Sequence, residues 1–471
     1  MQPNRKESNK VKFIGRENEK KILINTLSKP YSETILIYGR RRVGKSELIK
    51  HCLKELKDTS IYFECKQTTE INNVESLALI ISEQFHYPKL AFSNLEALLS
   101  FLFEKAIENK MILVLDEYPY LRKTIVGIDS ILQNLIDKYK EVSTLKLILC
   151  GSYVDIMKSL IEIHNPLYGR VTQIIDLKPM DYYESSKFYP NFSNEDKVKL
   201  YSVFGGIPHY NKLIDSHKSV KENIIDLIAS PNARLELEIS MYLKSEISKM
   251  INANEVFEAM AMGANKYSDI LSKSHVSSAP TLIDVLDKLI KMEVVAKETP
   301  INEEHNRKKS RYFICDNLSL FYYKYIFRYA SQMNIMDSEV FYKRYIDQDF
   351  NTQHVPFIFE NICKQFLIRL NRKGLIEEPF EKIGKYYYDD PINKKNGEFD
   401  LVTYDRKGYI FYEAKFRNSK IDMNTIHKEI EQVKDTGFNC YRYGFFSKTD
   451  FEEINDDTLI LYTLDDLFKD M

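Results

Sequence analysis

Glycine and proline are scarce in this chain, 15 and 14 of 471 residues. A place where glycines cluster therefore carries more information than usual. The six cysteines, Cys52, Cys65, Cys150, Cys315, Cys363 and Cys440, are widely scattered. No Cys-x-x-Cys or Cys/His ligand spacing occurs, which argues against a structural zinc site and against a disulfide scaffold. Charge of one sign is also missing: 67 Lys+Arg against 68 Asp+Glu leave a formal net charge of -1. A globally basic nucleic-acid binder is excluded, although a local basic patch is not. Long apolar runs are absent. The longest, such as MILVL and LKLILC, are of buried-strand length and fall far short of the ~18 residues of a membrane span. The opening MQPNRKESNKVK has no apolar stretch of the secretory kind, so a cytoplasmic location without membrane attachment is expected.

What is present is an ordinary globular composition, 44% hydrophobic and 29% charged. At ~150 residues per domain, it suffices for about three domains. Residues 11–215 alternate short apolar runs with amphipathic helices. The runs Thr34–Tyr38, Ser60–Glu64, Met111–Leu115 and Leu145–Cys150 lack polar alternation, as strands buried on both faces do, and imply a parallel α/β sheet. Residues 216–345 are dominated by helices: Glu255–Met262, Tyr267–Lys273 and Pro280–Lys291. Two strands follow, Val294–Lys297 and Tyr312–Cys315, then an aromatic helix, FYYKYIFRY. Three helices and a hairpin form a winged-helix pattern. Residues 346–471 predict a mixed α/β unit. Its helix Val355–Arg372 is followed by strands at Leu375–Phe380, Tyr386–Asp389, Glu398–Thr403 and Tyr409–Lys415. Helix Met423–Thr436 and strand Tyr441–Phe446 complete it.

The strand TILIY runs into Gly39, Arg40, Arg41, Arg42, Val43, Gly44, Lys45 and Ser46, then into a helix beginning at Glu47. This is GxxxxGK[ST] in its required strand-loop-helix context. The glycines let the backbone curl its N–H groups toward phosphate oxygens, and the helix N-terminus adds partial positive charge. Lys45 would reach the β- and γ-phosphates of ATP, and the Ser46 hydroxyl would ligate Mg²⁺. A second buried strand ends in Asp116-Glu117. Asp116 would hold Mg²⁺ through water. Glu117 would polarise the attacking water, and the presence of both acids argues for hydrolysis. Gly151-Ser152 ends a further strand, where a polar group can sense the γ-phosphate. Arg170 is a candidate arginine finger. For Ser152 and Arg170, ordinary turn and surface roles remain open alternatives.

Together these segments resemble the archaeal-type ATPase family within the STAND-related, AAA+-like P-loop NTPases. The likeness includes Phe13-Ile-Gly15-Arg16-Glu17, PLYGR around Arg170, and Phe204-Gly-Gly-Ile-Pro-His-Tyr210. It implies that Gly15 and Arg16 lie near the adenine pocket and covers about residues 11–330. It also implies, as in many members, a restriction-endonuclease-like domain at the C-terminus.

In that region, GEFDLVTYDRKGYIFYEAKF resembles the PD-(D/E)xK nuclease pattern, with Phe399 where the proline stands. Asp400 lies on one strand, and Glu413 and Lys415 alternate on the next, pointing to the same face. Asp400 and Glu413 would hold Mg²⁺, and Lys415 would position the water or stabilise phosphate charge. The resemblance adds Glu360 as a further acidic metal ligand and Gln432 as a helper glutamine. DNA is the expected partner, through this domain and through the helix Pro280–Lys291 with the basic loop His305–Arg311. Asp284 and Asp287 on that helix oppose a groove-reading role. The leading expectation is an ATPase that couples nucleotide state to DNA binding and Mg²⁺-dependent phosphodiester cleavage. Oligomerisation is possible. The alternatives are a STAND-like switch with an inactive C-terminal interaction module and a winged-helix regulator.

Overall fold

The computed structural model describes residues 13–239, 241, 252–390, 395–454 and 456–470. They form two compact units. The first runs to Pro179 and takes in Ile207–His209; the second comprises Met180–Gly206 and the chain from Tyr210 onward. The sequence division carried the first domain to 215. The segment 180–206 groups with the second unit, where Tyr182 donates to the Leu467 carbonyl at 2.6 Å and its amide donates to Gln365 Oε1 at 3.0 Å.

The first unit is built on five parallel strands: β1 (Glu33–Tyr38), β2 (Thr59–Glu64), β3 (Met111–Asp116), β4 (Lys146–Gly151) and β5 (Gln173–Asp176), in the order β2-β3-β4-β1-β5. Strands β1, β3 and β4 are buried along their whole length, which is why their sequences show no alternation. Helices connect them, as parallel pairing requires. Strand β5 escaped the sequence reading. It is a four-residue edge strand of half-buried QIID, too short and too polar to stand out. It nevertheless shapes the phosphate loop. Leu177, just after it, donates its amide to the Tyr38 carbonyl at 2.7 Å. A Cβ on Gly39 would lie 2.2 Å from the Leu177 carbonyl oxygen, so only glycine fits there.

The second unit contains the helices Ala253–Ala261, Tyr267–Lys273 and Ala279–Lys291, and the antiparallel hairpin of β6 (Val295–Glu298) and β7 (Arg311–Ile314). Ser278 caps the third helix by accepting from the Thr281 amide, with Pro280 in its first turn. The aromatic run is not one α-helix. A short α-helix, Asn317–Phe321, widens into a π-helix, Tyr322–Ile326, and tightens into a 3₁₀ turn, Phe327–Tyr329. Tyr322, Tyr323, Tyr325 and Ile326 are all buried, and a regular α-helix would turn one of four such neighbours outward.

The C-terminal part of this unit is a five-stranded sheet, β12-β11-β10-β9-β8, of β8 (Lys382–Asp390), β9 (Lys395–Asp405), β10 (Gly408–Lys415), β11 (Cys440–Ser447) and β12 (Leu459–Thr463). Strands β8, β9 and β10 are antiparallel; the helix Met423–Asp435 crosses over between β10 and β11, which are parallel. The long helix Val355–Arg372 has the predicted bounds. The strand expected at Leu375–Phe380 does not form. Pro379 lacks a ladder donor, and the Asn371 side chain takes both backbone groups of Phe380, at 3.0 and 3.2 Å. Strand β12 and the helix Leu464–Phe468 were not anticipated.

Candidate functional site

Gly44, with φ of +100°, caps the helix Lys45–Glu55. Gly39, Arg40, Val43 and Lys45 are buried, whereas Arg41, Arg42 and Glu47 face solvent. Lys45 Nζ donates to the carbonyls of Gly39 (2.9 Å) and Arg40 (3.1 Å) and to Ser152 Oγ (2.9 Å). Ser46 Oγ donates to Asp116 Oδ2 at 2.7 Å. Glu117 sits in the left-handed region, φ +54°, and accepts from the Ser152 hydroxyl at 2.7 Å and the Ser152 amide at 3.3 Å. The ends of β1, β3 and β4 thus bring Lys45, Ser46, Asp116, Glu117 and Ser152 into one hydrogen-bonded group. Gly151 admits this packing: a Cβ there would meet Met157 and Pro119 at 2.6 to 2.9 Å.

Sequence reasoning missed Tyr62. Its hydroxyl, on β2, donates to Asp116 Oδ2, the same oxygen that Ser46 uses. The signal that could have found it is the parallel register, Tyr62↔Val114 and Glu64↔Asp116. Burial pushes the Asp116 carboxyl up, but bonds from Tyr62, Ser46, Cys150 and the Glu117 amide outweigh it and hold the group below the usual carboxylate range. The set is oxygen-only, one hydroxyl and one ionised carboxylate beside a lysine and a turn of helix amides. It fits a magnesium-bound triphosphate.

Gly15 and Arg16 both take positive φ, +70° and +65°. The buried Arg16 donates to the Val43 carbonyl at 3.2 Å, so this segment braces the phosphate loop from behind. Phe13 stacks on His51 at 4.3 Å. Arg170 is not joined to this group. Its guanidinium forks onto Asp137, with contacts of 2.7 to 3.1 Å, and also donates to the Pro166 and Tyr168 carbonyls.

The C-terminal carboxylates are arranged differently. The register Tyr412↔Leu401 brings Asp400 level with Glu413 on the neighbouring strand, as the spacing requires. Each, however, is met by a lysine. Lys385 on β8 donates to Asp400 at 2.5 Å; Lys415 bridges Glu413 at 2.6 Å and Glu429 at 2.8 Å. Lys385 and Glu429 were not anticipated. Gln432, the expected helper, is exposed one turn beyond Glu429 on the same helix. Half-buried Glu360 makes no hydrogen bond or ion pair with the described residues. Burial, reinforced by the negative charge of Asp400, pushes its carboxyl up to about 8. Burial likewise raises Glu413 despite Lys415. Among the described residues no three His, Cys, Asp or Glu side chains stand close enough together to hold a metal ion. As built, this cluster is neutralised by lysines and does not fit a divalent cation.

The helix Ala279–Lys291 exposes Ile283, Asp284, Asp287 and Lys288. Of the basic hairpin loop, Arg307 and Lys308 face solvent, while Lys309 lies 3.1 Å from the centre of the Tyr387 ring and Arg311 pairs with Glu398 at 2.7 Å. No helix among the described residues is long and apolar enough to cross a membrane.

Residues 13–214 match the family described as an ATPase domain predominantly from Archaea. Residues 322–430 match a second, described as archaeal and bacterial proteins of unknown function. The chain therefore carries an ATPase domain of the archaeal type followed by a C-terminal domain of that second kind. An uncharacterized protein of Methanocaldococcus jannaschii is 29% identical over 467 residues, 96% of this chain and 99% of the relative. Among solved structures, the Walker-type ATPase PABY2304 of Pyrococcus abyssi is similar to 66% of this chain over 96% of its own, with 21% identity and a TM-score of 0.50. The Aeropyrum pernix ORC2 protein, solved as ADPNP–ADP complexes, covers 66% of this chain and 93% of its own, with 15% identity and a TM-score of 0.47.

Proposed function

We propose that this chain hydrolyses ATP and uses the nucleotide state to control a nuclease-like C-terminal domain that engages DNA in the cytoplasm. One observation carries the reading: the Ser152 hydroxyl joins Lys45 to Glu117 while Ser46 bonds Asp116, so the phosphate-binding and water-activating groups form a single network. Lys45 and the amides of residues 39–46 bind the phosphates, with Arg40 to Val43 shaping the loop and Glu47 opening the helix. Ser46 and Asp116 would hold Mg²⁺, which would supply charge neutralisation on the bound triphosphate. Glu117 orients the attacking water, and its hydrogen bonds to Ser152 fix the carboxylate before substrate arrives. Gly15 and Arg16 set the loop from behind, near the adenine. Arg170 serves as a finger only after leaving Asp137, in its own chain or across an oligomer contact.

The domain reading is 11–215, 216–345 and 346–471, with the middle region a winged helix. Exposed Arg307 and Lys308 support phosphate contact. Asp400, Glu413 and Lys415 share a face in the PD-(D/E)xK manner, with Glu360 and Gln432 on the flanking helices. Their lysine pairing does not fit a cation, so cleavage requires that pairing to open first. The same pairing favours a second reading, an ATP-driven assembly switch whose C-terminal domain only binds a partner. The test is ATP hydrolysis and Mg²⁺-dependent DNA cleavage by wild type, Lys45→Ala and Asp400→Ala. Hydrolysis lost only in Lys45→Ala, with cleavage lost in both variants, supports the first reading. Hydrolysis without any cleavage selects the switch, and wild type that neither binds nor hydrolyses ATP overturns both.

A further inference from the structure

The edge of the C-terminal sheet is covered by the loop of the β6–β7 hairpin. The Ile301 amide donates to the Lys385 carbonyl at 2.8 Å. Asn302 makes two bonds to the backbone of Tyr387, accepting from its amide at 3.0 Å and donating to its carbonyl at 2.7 Å. Ion pairs flank these contacts: Lys382 with Glu304 at 2.9 Å, Lys364 with Glu298 at 3.2 Å, and the largely buried pair Arg311–Glu398 at 2.7 Å. An exposed edge strand needs such a cover, but this one also reaches the carboxylates. The β8–β9 register shifts between Gly384 and Tyr386, so Lys385 sits in an irregularity of the strand, a feature that re-aims a side chain. A Cβ on Gly384 would lie 3.1 Å from Ile301, so the glycine admits the loop. The side chain so aimed is the one whose ammonium meets Asp400. Glu398, held by Arg311, lies two residues before Asp400 on the same strand.

We propose that Lys385 is a positioning residue that closes the Asp400 site to divalent cations, and that the hairpin loop holds it there. The proposal rests on the nuclease-like reading of Asp400 and Glu413. A fixed positive charge at hydrogen-bond distance from a ligand oxygen both occupies that oxygen and repels an incoming cation. Withdrawal of the hairpin frees the Lys385 carbonyl, relaxes the irregular segment and releases the ammonium from Asp400.

The probe is Mn²⁺, titrated without nucleotide into the full chain and followed by electron paramagnetic resonance. Every variant carries Ser46→Ala, so that an ion at the phosphate loop is not counted. Lys385→Met keeps the aliphatic stem and removes the charge; it is expected to tighten Mn²⁺ by about tenfold or more. Asn302→Ala with Arg311→Ala loosens the hairpin and is expected to give a smaller gain, about threefold. Asp400→Asn added to either abolishes the gain. Thermal melting checks that each variant is folded, and Lys385→Gln replaces Lys385→Met if that one is not. Equal Mn²⁺ binding by the parent and Lys385→Met, lost in Asp400→Asn, overturns the gate and leaves the nuclease-like reading standing. No Mn²⁺ bound by any variant overturns both. A gain in Lys385→Met with none on loosening the hairpin overturns the hairpin's part.

Discussion

At the end of β3, Asp116 accepts from two hydroxyls, Ser46 and Tyr62, whereas on β9 Asp400 is met by the ammonium of Lys385. Hydroxyl donors leave the first carboxylate ionised and its charge uncompensated, ready for a cation. The lysine compensates the second. Each carboxylate sits where its strand places it, so the contrast comes from the partners. The strand end under the phosphate loop is lined by hydroxyl donors, one from a serine and one from a tyrosine. A face beside an irregular edge strand is within reach of a long, flexible side chain. The position of an acid in a motif therefore says less about metal than the charge of what bonds to it.

The strongest way to break this comparison is at the phosphate loop. Lys45→Ala removes the positive charge proposed to meet the phosphates and is expected to lower ATP hydrolysis by about 10³-fold in a steady-state phosphate-release assay. Glu117→Gln removes the carboxylate proposed to activate water but leaves the loop intact. Hydrolysis should fall by about 10²-fold while nucleotide binding persists, and equal loss of both would reassign Glu117 to a structural role. Tyr62→Phe deletes one of the two hydroxyl bonds to Asp116. A net hydrogen bond of about 1 kcal/mol corresponds to roughly a fivefold drop in turnover, with a raised Mg²⁺ requirement; an unchanged Mg²⁺ dependence would detach Tyr62 from the site.

The smallest effect sharpens the C-terminal half. The Glu360 carboxyl, pushed up to about 8, lies above its unfolded value of ~4.3. Its contribution to stability is full below the unfolded value and is lost as pH rises through the folded one. Glu360→Gln removes that loss. Its melting temperature relative to wild type should rise by about 2 °C between roughly pH 5 and pH 9. A constant difference would mean that Glu360 is not held protonated by its surroundings.

The strands of the phosphate-binding sheet were legible because double-sided burial leaves an unmistakable apolar run; Met111–Leu115 appears in the structure with one residue added. The helix Val355–Arg372 was legible from its apolar face and from Pro356 in its first turn. Asp400, Glu413 and Lys415 were placed side by side by spacing alone, since alternation and a tight turn determine which face each occupies. What stayed hidden depends on pairing between distant segments. Tyr62 reaches Asp116 only through the β2–β3 register, and Lys385 reaches Asp400 only because the β8–β9 register slips. Glu429 rather than Gln432 meets Lys415; the two lie three residues apart on one helix face, so no local pattern separates them. Strand β5 is too short and too polar to leave a pattern, and the irregular aromatic helix buries neighbouring rings that no single helical period would place together.

The cysteines offer a practical consequence. Cys52, Cys65, Cys150 and Cys363 are buried, Cys440 is half-buried, and burial pushes all five thiols up, away from the thiolate that alkylating reagents require. Cys315 is exposed and directly follows β7. A maleimide fluorophore should therefore attach at this single position in the unaltered protein, where its emission can follow the hairpin through a catalytic cycle without any engineered label site.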